Sequence, residues 1–353
     1  MKRMNPVTPV KRAALALTAA ALALTACGSG TEEAKPAADG SPATLRIGYQ
    51  LIPNGDLIVK DQQWLEKALP NTKITWSKFD SGGDVNTAMI SGSLDIGLAG
   101  SSPVTRGLSA PLDIPYRVPW IFDVIGDNEA LVARGGVTDV KGLAGKRVAA
   151  PFASTTHYSL LAALTEAGLS EADVKILDME PPDIQAAWQR GDIDAAYVWT
   201  PTLAELQKNG GTTLVTSREL AQRGKLTADL AVVSDDFAKK YPKALHVWLQ
   251  QQDRAVKLVR SDKDAAAAAI GRQLNLDPAE AGRQLGQLVL LDATEQRSAD
   301  YLGTPSAPGK FAENLHSSAE FLKGQKKVDA VPELSVFQKG LATQELADAF
   351  SGS

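Results

Sequence analysis

The sequence predicts an α/β chain of two lobes, each built on a mixed, mainly parallel sheet, with two crossover strands between them. Three observations predict it. Short apolar strands alternate with helical stretches along residues 45–228, the pattern of βαβ units. Two similar apolar runs, Glu129 to Arg134 (EALVAR) and Leu230 to Ser234 (LAVVS), bracket a second series of such units. Small, hydroxyl-rich turns recur where strand meets helix: DSGG at 80–83, GSSP at 100–103 and STT at 154–156.

Each element follows in order. Leu45 to Gln50 reads as a strand, and 57–69 as a helix from the spacing of Leu57, Ile58, Trp64, Leu65 and Ala68. Lys73 to Phe79 alternates as a strand, Asp80–Gly83 turns into a helix through Ile90, and Leu94 to Ala99 is the next strand. Pro103 suits a first helical position. Residues 112–125 are β-rich but crowded with prolines. The bracketed series runs strand 147–152, helix 157–167, strand 174–178, helix 183–190, strand 195–199, a helix from 201 and strand 213–215. Asp183 is a candidate cap and Gly191 a helix stop. Residues 235–353 are mostly helical, including the Ala-rich 264–275, and are expected to pack on the first lobe. This places lobe one at 44–130 plus 234–353 and lobe two at 131–233. Helix N-termini at the carboxyl ends of parallel strands then face the cleft between them.

The N-terminus bounds the compartment. Lys2, Arg3, Lys11 and Arg12 precede the apolar run Ala13–Ala26, too short for a permanent span. The run ends in Leu24-Thr25-Ala26-Cys27, which resembles a bacterial lipobox. The expectation is a signal at 1–26, a lipid on Cys27 and a flexible, Pro- and Gly-rich tether to residue 43, holding the domain at the extracytoplasmic face of the cell membrane. Cys27 is the only cysteine, which excludes an internal disulfide framework. The formal net charge is −4, and −8 once the four basic residues of the signal are removed. With no basic stripe, a nucleic-acid partner is not expected. His157, His246 and His316 have no metal-ligand spacing, so neither metal nor cofactor is expected.

The segment RVAAPFASTTHYSLLAAL (147–164) carries the most chemistry. A strand runs into Ser154, Thr155 and Thr156, and a helix starts at once. The first turn of a helix has free N–H groups and a partial positive charge, so this junction suits a small anion, although Ser and Thr are also common caps. Trp199 closes the strand AAYVW at its carboxyl end, where ligand sites occur, or packs in the core. Trp188, in mid-helix, reads as core.

PFASTTHYSLLAAL (151–164), AAWQRGDIDAAYVWTP (186–201), KFDSGGDV (78–85) and LAGSSP (98–103) together resemble the taurine-binding periplasmic subunits of ABC importers, in collinear order over about residues 45–330. The resemblance implies the two-lobed type II periplasmic solute-binding fold. It also implies capture of taurine, delivery to an ABC permease, a monomer and no enzymatic activity. YRVPWIF (116–122) departs from the family pattern, where a more aliphatic strand is usual.

Residue chemistry agrees with such a ligand. A sulfonate wants several donors; Ser81, Ser101, Ser102, Ser154 and Thr155 offer hydroxyls at three junctions, with Ser81 the least favoured. An ammonium wants a carboxylate or an aromatic face. Glu129 and Asp229 lie on the crossover strands, Trp199 and Tyr49 could wall the site, and Gln50 competes with Tyr49 for one turn. Two other readings stand beside this one: a binder of alkanesulfonate or a nitrate-like anion, and an enzyme resembling thiamine-pyrimidine synthase. His157 beside the hydroxyls invites a nucleophile–base pair, but one helical turn does not set a base against its own cap, and no G-x-S-x-G elbow is present.

Overall fold

The structure is a computed structural model and describes residues 40–351; Cys27, the signal and most of the tether lie outside the described residues. Among the described residues, no helix is long and apolar enough to cross a membrane.

The first sheet is built from β1 (Thr44–Tyr49), β2 (Lys73–Lys78), β3 (Ile96–Gly100), β4 (Tyr116–Val124) and a late strand, Ala228–Ser234. The second uses β5 (Glu129–Ala133), β6 (Arg147–Ala150), β7 (Lys175–Asp178), β8 (Ala195–Trp199) and β9 (Thr212–Thr216), so the late strand is β10. Their orders, β2-β1-β3-β10-β4 and β7-β6-β8-β5-β9, are the same arrangement. In each, four strands run one way, and one, β10 or β5, runs against its two neighbours. β5 and β10 are single-sheet strands along their whole length, so the chain passes between the sheets in 125–128 and 223–227 rather than within the strands.

The helices differ from the sequence reading in instructive ways. The helix expected at 57–69 is broken into α1 (Gly55–Asp61) and α2 (Trp64–Ala68), because Gln63 takes a left-handed conformation, φ 52°. α3 (Gly82–Ile90) and α4 (Ser101–Gly107) follow DSGG and GSSP. α5 (Thr155–Glu166) is capped by Ser154. α6 (Pro181–Arg190) starts at its prolines, which need no N–H partner there, so Glu180 takes the cap position and Asp183 sits in the first turn. Gly191 ends it at φ 77°, as expected. α7 (Thr202–Lys208) and α8 (Ser217–Gln222) complete the second series. The prolines of 112–125 are reconciled with strand structure because β4 is an edge strand, where a missing N–H is tolerated. Its outer side is met by isolated bridges from Leu341 to Val118 and from Val289 to Val124.

The two sheets share a second device. Arg46, at the start of β1, grips Asp95 through its backbone N–H (2.8 Å), Nε (3.0 Å) and an Nη (2.6 Å), while the other Nη reaches the Gly92 carbonyl. Arg147, at the start of β6, grips Asp194 identically at 2.8, 3.1 and 2.9 Å and reaches the Gly191 carbonyl. Both clamps fix the entry of the third strand in the order against the second, so they set how far β3 and β8 project toward the cleft. Trp188 is core, as expected, with the Arg134 guanidinium 4.0 Å over its ring.

The lobes meet where the strand ends converge. A Cβ built on Gly100 would lie 2.5 Å from Thr155 Cγ2, so only glycine admits this approach. Helix 311–324 straps across α5, with Phe321 against Tyr158 at 5.0 Å and Leu322 and Val328 in the same cluster. Lys327 pairs with Glu171 at 2.8 Å beside it.

Two predictions follow from this packing. Gly100→Val should cost roughly 1–3 kcal/mol of lobe closure by overpacking against Thr155. Small-angle scattering should show a more open particle with little change in melting temperature, and an unchanged profile would refute the contact. The Arg147 guanidinium holds the Asp194 carboxyl down at about 2, against its usual 3.8. A depressed carboxyl stabilises above its unfolded pKa, and that stability is lost as pH falls through the folded value. Asp194→Asn should therefore melt below wild type at pH 7, with the gap closing between pH 4 and 2; a gap that persists at pH 2 would count against the clamp.

Candidate ligand-binding cleft

A cleft of about 290 Å³, counted to its open mouth, lies where the strand ends of the two sheets converge. One wall carries Gln50, Ile52, Gly82, Gly100, Pro103 and Asp229; the other carries Glu129, Ser154, Thr155 and Trp199.

The second wall is organised around Glu129, the first residue of β5, only 1% exposed. Its Oε2 accepts from Thr155 Oγ1 at 2.6 Å, and its Oε1 from Ser217 Oγ at 2.8 Å and Ser159 Oγ at 3.4 Å. Burial pushes its pKa up to about 7, outweighing the three hydroxyl donors. Trp199 is the direct cross-strand partner of Glu129 in the β5–β8 register, so indole and carboxyl enter the cleft together. Ser154 caps α5: its Oγ accepts from the His157 N–H at 3.1 Å and donates to the Pro151 carbonyl at 2.5 Å. The hydroxyl protons of Ser154 and Thr155 are thus directed to protein acceptors. What the turn offers a ligand is the first-turn backbone of α5, where N–H groups have no intrahelical carbonyl to reach.

The first wall is organised around Asp229 in β10, which is 5% exposed and flanked in register by Gly100 of β3 and Asp123 of β4. Residues directly opposite in an antiparallel pair share a face, so Asp123 and Asp229 stand side by side. Asp123 is fully buried, and neither of its oxygens has a hydrogen-bond partner. Burial first, then the Asp229 and Glu129 charges, push its pKa well above the usual range; burial and Glu129 push Asp229 up to about 8. Among the described residues, no lysine or arginine is buried. Two carboxyl groups therefore line the cleft and a third is buried directly beside one of them, with no buried cation among the described residues to balance them.

The structure brings together Gln50, Glu129, Ser154, Thr155, Trp199 and Asp229. Gln50 donates from Nε2 to the Leu98 carbonyl at 3.0 Å. Tyr49, on the alternate face of β1, packs edge-on against Trp76 at 6.2 Å instead of lining the cleft. Ser81, Ser101 and Ser102 are buried at their turns, and Gly82, Gly100 and Pro103 form the wall there. Ser81 caps α3 and donates from Oγ to Asp84 Oδ2 at 3.3 Å, while Ser101 Oγ accepts from the Ala228 N–H at 3.2 Å. Asp123 is the residue that sequence reasoning missed. Its signal was an acid inside the apolar run YRVPWIFDV. Ser159 and Ser217, which brace Glu129, carried no signal, since each reads as an ordinary helix residue.

His157 does not line the cleft. Its ring stacks on Phe152 at 4.4 Å, its Nδ1 accepts from the Ala153 N–H at 3.3 Å, and its Nε2 lies 3.7 Å from Glu171. Burial, with Lys327 nearby, pushes its pKa down to about 4, so the ring is neutral and ties down the turn before α5, where Ala153 is left-handed.

Relatives share this frame. The chain is 41% identical over 205 residues to the taurine-binding periplasmic protein of Escherichia coli (strain K12), an alignment covering 53% of this chain and 63% of that protein, so the chain spans somewhat less than two thirds of that relative's length. It is 30% identical over 241 residues to the putative aliphatic sulfonates-binding protein of the same organism, covering 68% and 74%. The alkanesulfonate-binding protein SsuA from Xanthomonas axonopodis pv. citri, solved bound to MOPS, superposes with a TM-score of 0.69 over 85% of this chain and 98% of that one, at 24% identity. Other solved structures of this fold include a nitrate-binding protein and a desulfurization enzyme, so the likeness in shape shows fold alone. Residues 38–273 match the family description outright: the chain belongs to the NMT1-like family.

Proposed function

We propose that this chain is an extracytoplasmic binding protein that captures taurine in the interlobe cleft and hands it to an ABC permease. The observation that carries the reading is the convergence of Glu129, Asp229 and Asp123 with no buried cation to balance them. Taurine is a zwitterion, and its ammonium supplies the missing charge. A unit charge pair at ~4 Å gains roughly 4 kcal/mol at an effective dielectric near 20, before desolvation. The sulfonate takes the first-turn N–H groups of α5, and Trp199 walls the carbon chain. The relatives' names, which pair taurine with aliphatic sulfonates, support the ligand class.

Alkanesulfonates and nitrate fit less well, because they leave the acids uncompensated; a site discriminates by leaving the wrong ligand's partners unpaired. Binding rather than catalysis is supported by the commitment of the candidate nucleophiles: Ser154 bonds Pro151, Thr155 bonds Glu129, and His157 accepts from the backbone. In this reading the lobes are 44–124 with 228–351 and 129–222, and they hinge at 125–128 and 223–227. A lipid on Cys27 holds the protein, as a monomer, at the outer face of the membrane. Taurine binding shifts the open–closed equilibrium by its preference for the closed form.

Titration calorimetry with taurine, ethanesulfonate, sulfate and nitrate tests the reading. Taurine should bind tightest, and Asp229→Asn should weaken taurine by about a hundredfold while leaving ethanesulfonate unchanged or improved. Equal losses for both ligands, or heat from nitrate alone, would rule it out.

A further inference from the structure

We propose that Asp123 keeps a proton in the cleft wall while the site is empty, and that seating an ammonium against Glu129 and Asp229 drives a proton out of the three-carboxyl cluster. The inference rests on the taurine reading and adds to it a specificity device that acts through Asp229. Asp123 itself is sealed behind the cleft and does not line it.

The geometry is unusual for a carboxyl group. Asp123 is fully buried, both oxygens have no donor, and its register partner is another acid. An ionised carboxylate in such a place is expensive unless it is paired and hydrogen-bonded. Nothing packed against β4 provides that partner. β10 presents Asp229, and β5 contributes the Glu129 charge. Helix 242–261 turns Trp248 onto the neighbouring Phe122. Arg117, at the far end of β4, is held by Asp235 and Glu345, and Arg218 of α8 is held by Asp127. The raised pKa values of Glu129 and Asp229, about 7 and about 8, place the cluster's proton exchange in the neutral range.

The step balances simply. One carboxyl O–H bond breaks, its proton leaves to solvent, the electron pair stays on the carboxylate, and the ammonium keeps all of its own protons. Affinity for an ammonium-bearing sulfonate then rises with pH across about 6–8, by up to about tenfold per unit for one released proton. An alkanesulfonate without the ammonium gains nothing from this exchange and is held off at high pH by the ionised acids.

Calorimetry of the full chain with taurine, in phosphate and in Tris at pH 6, 7 and 8, counts the protons released from the difference in buffer ionisation heats. Wild type should release protons at pH 7 and bind more tightly at pH 8 than at pH 6. Asp123→Asn, neutral and of the same shape, removes one proton-bearing carboxyl from the cluster, so proton release should shrink and the pH profile flatten while taurine still binds. A merely structural role for Asp123 would leave proton count and slope unchanged, and that result overturns the proposal. Taurine heat with no released protons in wild type also overturns it. No taurine heat at any pH would instead sink the taurine reading, and the proposal with it. Should the variant not fold, the taurine-induced infrared difference spectrum of the wild-type protein decides: loss of a buried protonated-carboxyl band supports the proposal, and an unchanged band refutes it.

Discussion

The cleft depends on an imbalance of charge. Glu129 opens β5, Asp229 lies in β10, and Asp123 sits beside Asp229 in β4, so the three acids meet where the sheets converge. Four acids elsewhere each meet an arginine at 2.9 Å or less, Asp95, Asp194, Asp61 and Asp292, whereas buried Asp56 has only the Gln252 amide. At the cleft the chain withholds an arginine partner. A protein that buries three carboxyl groups without a cation is less stable for it, and such a cost is retained where something else supplies the charge. Three hydroxyls on Glu129 orient the carboxylate without neutralising it, so the site is prepared for a cation but not satisfied.

The fold makes this arrangement possible by repeating one plan twice. Two sheets of identical order each receive one strand running against the rest, and those two strands, β5 and β10, carry the acids into the cleft from opposite sides. The Arg46–Asp95 and Arg147–Asp194 clamps set the depth of β3 and β8 in the same way in both lobes. Gly100 then permits the approach of Thr155, the residue that holds Glu129, so lobe closure and carboxylate orientation share one contact.

Much of this was legible in the chain. Alternating strands and helices, the bracketing runs EALVAR and LAVVS and the Ser/Gly turns pointed to two lobes and a cleft, and to Glu129, Asp229, Thr155 and Trp199. The misreadings have physical causes. Hydroxyls at strand-to-helix turns look like ligand donors, yet Ser81 and Ser101 sit outside the cleft lining, where Ser81 caps α3 and Ser101 accepts from β10. Tyr49 and Gln50 are adjacent, and the pleat decides which of them faces the cleft. Asp123 was hidden because an acid in a proline-crowded segment reads as surface, whereas the bridges to Val289 and Leu341 cover this edge strand and bury it. His157 drew attention as a possible base and serves instead as a neutral brace under the turn.

The central claim, that the cleft buries carboxyl groups awaiting a cation, is tested most directly by melting temperature against pH with and without taurine. Carboxyls held at about 7 and about 8 bind more protons folded than unfolded in this range, so stability falls as pH rises from 6.5 to 8.5. His157, held low, opposes this only weakly and only near pH 6.5, where the unfolded imidazole still binds part of a proton. The account predicts that the ligand-free protein melts lower at pH 8.5 than at 6.5, and that saturating taurine raises the melting temperature more at pH 8.5. Equal or smaller stabilisation by taurine at pH 8.5 would contradict it.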